Sequence, residues 1–115
     1  MNSNQVVFAG FVASDPKTKS VGSRGLTEFS LAYNRKPAKE GDQPHTDFVA
    51  VKVWGRNAAA VYSEVRKGQP VIVSGPLRNE RWQENGQNRE RHVIEAFIVG
   101  RQIVAAKTAK EGEEA

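Results

Sequence analysis

The sequence predicts an all-β domain of five strands, with one helix between the third and the fourth. Three observations carry this. Turn signals recur at short intervals between Val-, Ile- and Phe-rich runs. A single segment, starting at Asn57, spaces its apolar residues as a helix does. Asn85-Gly86 joins two strand-like runs as a tight hairpin turn, because both residues tolerate positive φ.

The elements follow in order. A first strand covers about residues 4–13 and is broken by Asp15-Pro16; a short extended piece leads to the Gly22-Ser23-Arg24-Gly25 turn. A second strand at about 26–34 places Phe29, Leu31 and Tyr33 on one face. Arg35 to Thr46 is a polar loop of functional length. The third strand spans about 47–54. The helix then runs from Asn57 to Lys67, with Ala58, Val61, Tyr62 and Val65 as its apolar stripe, Asn57 as cap and Gly68 as stop. The fourth strand starts at about 70 and carries Val71-Ile72-Val73; a fifth returns from about 88 to 104. This is the order of an OB-fold, a five-stranded Greek-key barrel, although another small barrel or an open α+β sheet would also fit. The 115 residues suit one domain, placed at 1–106, followed by a short disordered and mildly acidic tail at 107–115.

Composition narrows the function. The chain has no cysteine, which excludes disulfides and thiolate metal sites. No apolar run approaches a membrane span and no signal peptide is evident, so a cytoplasmic location is expected. Net charge is +4, unevenly placed: residues 1–106 hold 15 Lys/Arg against 10 Asp/Glu, residues 107–115 hold 2 against 3. A basic folded part favours a polyanionic partner.

The third strand is the most informative. Val49, Val51 and Val53 form a β-branched face that belongs in the core, so Phe48, Ala50, Lys52 and Trp54 point the other way. Either the helix, a loop or a second subunit covers those aromatics, or they form a contact surface. Trp82 poses the same question among Arg78, Glu80, Arg81 and Glu84. Without a bulge, Arg78, Glu80, Trp82 and Glu84 share a face, Arg89 and Arg91 share a face of the returning strand, and Arg81 lies opposite Trp82. Trp82 either packs on the arginine stems of its own hairpin or offers a stacking platform for an unpaired base.

Several segments together resemble the bacterial single-stranded DNA-binding protein (SSB) family. They are the first strand with Asp15-Pro16, Phe29-Ser30-Leu31-Ala32, Phe48 to Gly55, Arg66-Lys67-Gly68, and Val71-Ile72-Val73-Ser74-Gly75 followed by Leu77-Arg78 and Trp82. In order, they span about residues 4–104. The resemblance implies an OB-fold that binds single-stranded DNA with little sequence preference in replication, recombination and repair, in the nucleoid-associated cytoplasm, as a homotetramer or a dimer. It places base-stacking aromatics at Phe48, Trp54 and Trp82, and phosphate contacts at or beside Lys52, Arg56, Arg78 and Arg81. Arg35 and Lys36 begin the loop that embraces the strand, and Arg91 joins the basic set beside Trp82. Where many members carry a further tryptophan near the end of strand two, this chain has Tyr33, Arg35 and Pro37. The family commonly ends in an acidic tip finished by apolar residues, which recruits replication and repair proteins; here Glu111, Glu113 and Glu114 give the acidity without the apolar tip, so that recruitment is not expected.

Three rivals remain. An enzyme is not expected: His45 and His92 are far apart, and there is no phosphate-cradling loop, nucleophile elbow or metal-ligand spacing, hence no cofactor. A primosomal replication-restart OB protein, acting mainly by docking on other proteins, is the alternative function. An RNA-binding OB domain is the third, since stacking and phosphate contact do not test for a 2′-hydroxyl.

Overall fold

A computed structural model of the chain describes residues 1–35 and 39–103. Its elements are β1 (Val6–Val12), β2 (Lys17–Val21), β3 (Arg24–Arg35), β4 (His45–Trp54), α1 (Arg56–Glu64), β5 (Pro70–Gly75), β6 (Leu77–Glu84), β7 (Gln87–Glu95) and β8 (Ile98–Arg101). The expected Lys36 and the tail at 107–115 lie outside the described residues.

Hydrogen-bonded neighbours run β6-β7-β4-β3-β1-β5-β8, with β2 paired to β3. β5 and β6 are the two halves of the expected fourth strand, β7 and β8 those of the fifth. Taken as whole strands, the neighbours close on themselves in OB-fold order, because β5 pairs with both β1 and β8 while β7 pairs parallel with β4.

The strand breaks have local causes. Pro76 has no N–H to offer a ladder, and its carbonyl accepts from Glu95 N–H (3.0 Å). One step on, Ala96 N–H turns to Lys52 O (2.9 Å) and Phe97 N–H to Ser74 O (2.8 Å), so the last strand changes partner there. Gly75 makes that bend possible: a Cβ on it would sit 2.1 Å from Glu95 O. Gly10 does the same where β1 crosses β3, since its Cβ would meet Ala32 O at 2.2 Å. The extended piece after Pro16 is a full strand, β2, paired along its length from Lys17↔Glu28 to Val21↔Arg24.

Leu31, Val51, Val71 and Val73 are fully buried at the centre of the core. Burying each such side chain stabilises the fold by about 1.5–3 kcal/mol. Ala58, Val61 and Val65 bring the helix stripe into the buried interior. Tyr62 departs from the expected stripe and is 46% exposed. Asn57 also does not cap the helix: Gly55 occupies that position and no side chain bonds there. The helix stops at Glu64, short of Lys67, because Val65 is already extended (φ −89°, ψ 135°). Gly68 serves the next turn, its N–H donating to Val12 O (2.8 Å). Among the described residues no helix is long and apolar enough to cross a membrane.

Candidate nucleic-acid interface

The clean alternation of β4 holds in three dimensions. Val51 and Val53 are buried (0% and 2% exposed) and Val49 packs against the core, while Phe48 on the opposite side is 68% exposed. Helix α1 buries its stripe toward the interior and leaves this outer face open. Antiparallel pairing then fixes what stands beside each residue, because directly opposed side chains share a face. Ala32 lies opposite Phe48, Glu28 opposite Lys52, and Leu26 opposite Trp54.

The β6–β7 hairpin extends this face. Its register is unbroken from Leu77↔Ile94 to Glu84↔Gln87, so Arg78, Glu80, Trp82 and Glu84 do share one side. Asn85 (φ 52°) and Gly86 (φ 78°) make the tight turn, as positive φ at both positions requires. Trp82 is opposite Arg89, and the Arg91 guanidinium stands 5.9 Å from its ring centroid. Trp82 thus rests against an arginine of its own hairpin and remains 41% exposed. An open depression of about 670 Å³ beside it is lined by Arg81, Trp82, Gln83, Asn88, Arg89 and Glu90.

Trp54 is more confined. Arg24 stacks its guanidinium 4.5 Å from the ring centroid, and the indole N–H donates to Glu95 Oε2 (3.0 Å). Glu95 also accepts from Arg78 Nε (2.7 Å), so Trp54 and Arg78 are tied through one carboxylate. Lys52 is only 14% exposed; its ammonium lies on Glu80 and 3.7 Å from Glu28. Arg91 reaches the same two carboxylates at 3.1 and 3.5 Å. Burial alone pushes the Glu80 carboxyl up, but hydrogen bonds and charge from Lys52 and Arg91 outweigh it and hold the pKa below the ordinary 4.5.

Not every expected residue joins this face. Arg35 has the alternation of Phe29 and Leu31, opposite to that of Phe48, and pairs with Asp47 (3.0 Å). Arg81 is on the far side of the hairpin from Trp82 and pairs with Glu90 (3.4 Å). Arg56, exposed at the helix start, has no ion pair among the described residues. Tyr33 lies on the core side of β3 but beyond the core, 45% exposed and edge-on to Phe8 (5.7 Å).

Three basic residues on the face escaped the sequence reading. Lys17 and Lys19 of β2 stand opposite Glu28 and Leu26, hence in line with Lys52 and Trp54. Arg24 covers Trp54. The two-residue repeat of Lys17-Thr18-Lys19 was the available signal. The resulting surface offers three aromatic rings and a belt of cations along one side of a barrel, an arrangement that suits an unpaired, flexible polyanion.

The family model described as the single-strand binding protein family matches residues 3–102. A single-stranded DNA-binding protein of Treponema pallidum is 34% identical over 96% of this chain, which spans 65% of that relative's length. A single-stranded DNA-binding protein of Clostridium acetobutylicum is 30% identical over 94% of this chain and 97% of its own. Among solved structures, the small single-stranded DNA-binding protein of Streptomyces coelicolor is 25% identical with a TM-score of 0.74, over 90% of this chain and 97% of that one. The Plasmodium falciparum SSB complex with ssDNA, 23% identical over 90% of this chain and 97% of that one, shares the fold with a TM-score of 0.76. With an OB-type barrel, outward-facing aromatics on β4 and β6, and this match over nearly its whole length, the chain belongs to the single-strand binding protein family.

Proposed function

We propose that the chain binds single-stranded DNA with little sequence preference and protects it in replication, recombination and repair. Bases stack on Phe48, Trp54 and Trp82, and phosphates meet Lys52, Arg56, Arg78 and Arg91, with Lys17, Lys19 and Arg24 extending the path. The mechanism is sequestration; no chemistry is done on the DNA. One observation carries the reading: rings that the strand alternation sets apart from the core stand on one open, cation-bearing face.

The protein works as a homo-oligomer, a tetramer or a dimer, assembled through a separate apolar surface on β1, β5 and β8. Outward-facing Val7 (66% exposed), Ile72 (39%) and Ile98 (62%) support this.

Intrinsic fluorescence during titration with oligo(dT) tests the DNA reading, because Trp54 and Trp82 are the chain's two tryptophans. Saturable quenching that weakens with salt is expected. Trp82→Ala should weaken binding by about 1–3 kcal/mol and leave the fold intact. Unchanged affinity in that variant would refute stacking at Trp82. Trp54→Ala is less clean, because its ring also holds Arg24 and Glu95. Binding without quenching would favour the primosome-like alternative, and equal affinity for RNA the third.

A further inference from the structure

Three cations of the proposed DNA face, Lys52, Arg78 and Arg91, are already occupied by carboxylates. Lys52 from β4 and Arg91 from β7 meet Glu28 from β3 and Glu80 from β6 in a four-charge ring that sums to zero. Glu80 gives one oxygen to each cation: Oε2 accepts from Lys52 Nζ and Oε1 from Arg91 Nε (3.1 Å). Glu28 Oε1 lies within 3.7 Å of both. Arg78 is likewise held by Glu95. The ring lies beside the stacking platform, since Glu80 is two residues from Trp82 and Arg91 stands against its ring.

We propose that Glu80 and Glu28 act as a built-in competitor for DNA phosphate, so that the backbone binds this face by displacing carboxylates from Lys52 and Arg91. The proposal rests on the single-stranded DNA reading above and adds the control of its affinity. A cation whose charge is cancelled by a carboxylate adds little attraction for a distant phosphate, and when a phosphate displaces that carboxylate the freed acid regains cations from solution, offsetting those released from the DNA. Affinity and salt dependence are therefore both set below what the number of lysines and arginines on the face would give. Glu80 is the stronger of the two regulators, because both its oxygens are engaged and at shorter range. It is a positioning residue: it acts through Lys52 and Arg91.

The test compares the full chain with Glu80→Gln, Glu28→Gln and Glu84→Gln in oligo(dT) titrations at several salt concentrations. Glu84 stands on the same side of β6, nearer the hairpin tip, and pairs with no cation among the described residues. Each variant removes one negative charge, so net charge is matched. Glu80→Gln should bind about fivefold tighter near 0.1 M salt. Its plot of log affinity against log salt should be steeper by about 0.7 for each cation freed. Glu28→Gln should move the same way by less, and Glu84→Gln least. Thermal unfolding of each variant checks that the fold is retained. Weaker binding by a folded Glu80→Gln would overturn the proposal, showing that Glu80 orients the cations productively. An equal gain in Glu84→Gln would overturn it too, because bulk charge would then suffice. If the wild-type chain itself fails to bind oligo(dT) at low salt, the DNA reading falls first.

Discussion

At Glu80 two opposed effects act on one carboxyl. Partial burial favours its neutral form, while Lys52 from β4 and Arg91 from β7 favour the charged form and win; Glu28 from β3 faces the same two cations and shares them. A carboxyl held below its ordinary 4.5 in the folded state stabilises the fold above that value. That contribution is lost as pH falls below 4.5 and through the lowered folded value. Denaturant unfolding of wild type and Glu80→Gln should thus differ near pH 7, by about 1 kcal/mol for a part-buried pair, and the difference should shrink as pH falls below 4.5. A difference that does not shrink in acid would contradict the ion-pair origin. The same residues show what a linear reading can reach. Phe48, Trp54 and Trp82 were legible because a two-residue repeat is local and separates core from non-core within one strand. The pairing of Lys52 with Glu80 was not, since the two are 28 positions apart in the chain and only the barrel brings them together. Arg24 was hidden for a similar reason: assigned to a turn, it gave no hint of the ring it covers.

Along each element, strand identity came from composition and strand ends from partners. The buried runs of β4 and β5 announce themselves through Val at alternate positions. The division of the fourth and fifth strands into halves does not, because it arises where Ala96 and Phe97 turn their N–H groups to Lys52 and Ser74. Gly75 is the sequence trace of that event. Its position can be tested directly. A methyl group at residue 75 would stand 2.1 Å from Glu95 O and 2.9 Å from Ala96 Cα, both backbone atoms that can yield only by distorting the bend. Gly75→Ala should cost about 1–3 kcal/mol. In a domain of this size each kcal/mol lowers Tm by about 4–8 °C, within reach of a thermal melt. An unchanged melt would mean that the crossing is looser than drawn. Since β6 carries Trp82 directly beyond this bend, the variant should also weaken oligo(dT) binding, through displacement of the hairpin.

Over the whole molecule the barrel presents two unlike surfaces built from different strands. The cationic, aromatic one spans β2, β3, β4, β7 and β6. The apolar one lies outside β1, β5 and β8, where Val7 stands opposite Ser74, which in turn stands opposite Ile98. Beside that row, Ile72 projects between Ala9 and Gly100, two residues too small to cover it. Phe11, 45% exposed, continues the apolar row of β1. Val7, Ala9 and Phe11 alternate along β1 and all three are exposed, which sets them outside the barrel. Exposed β-branched and aromatic side chains in adjoining rows are poorly placed in water and gain by meeting a second copy of the same surface. Sedimentation velocity should therefore find an oligomer, a tetramer or a dimer, well above the 12.7 kDa of one chain. A monomer at micromolar concentration would refute the assembly. Val7→Glu places a charge within the apolar surface, where burial against a partner is costly, and should shift the protein toward monomer. Because Val7 is 66% exposed within the single chain, the fold should survive the change, as circular dichroism can verify. Each monomer would retain its complete aromatic face, so quenching by a short oligo(dT) should persist while the nucleotides bound per particle fall in step with subunit number. Loss of quenching together with loss of assembly would instead mean that the two surfaces are coupled, and that the face on β4 and β6 is held in shape by the partner.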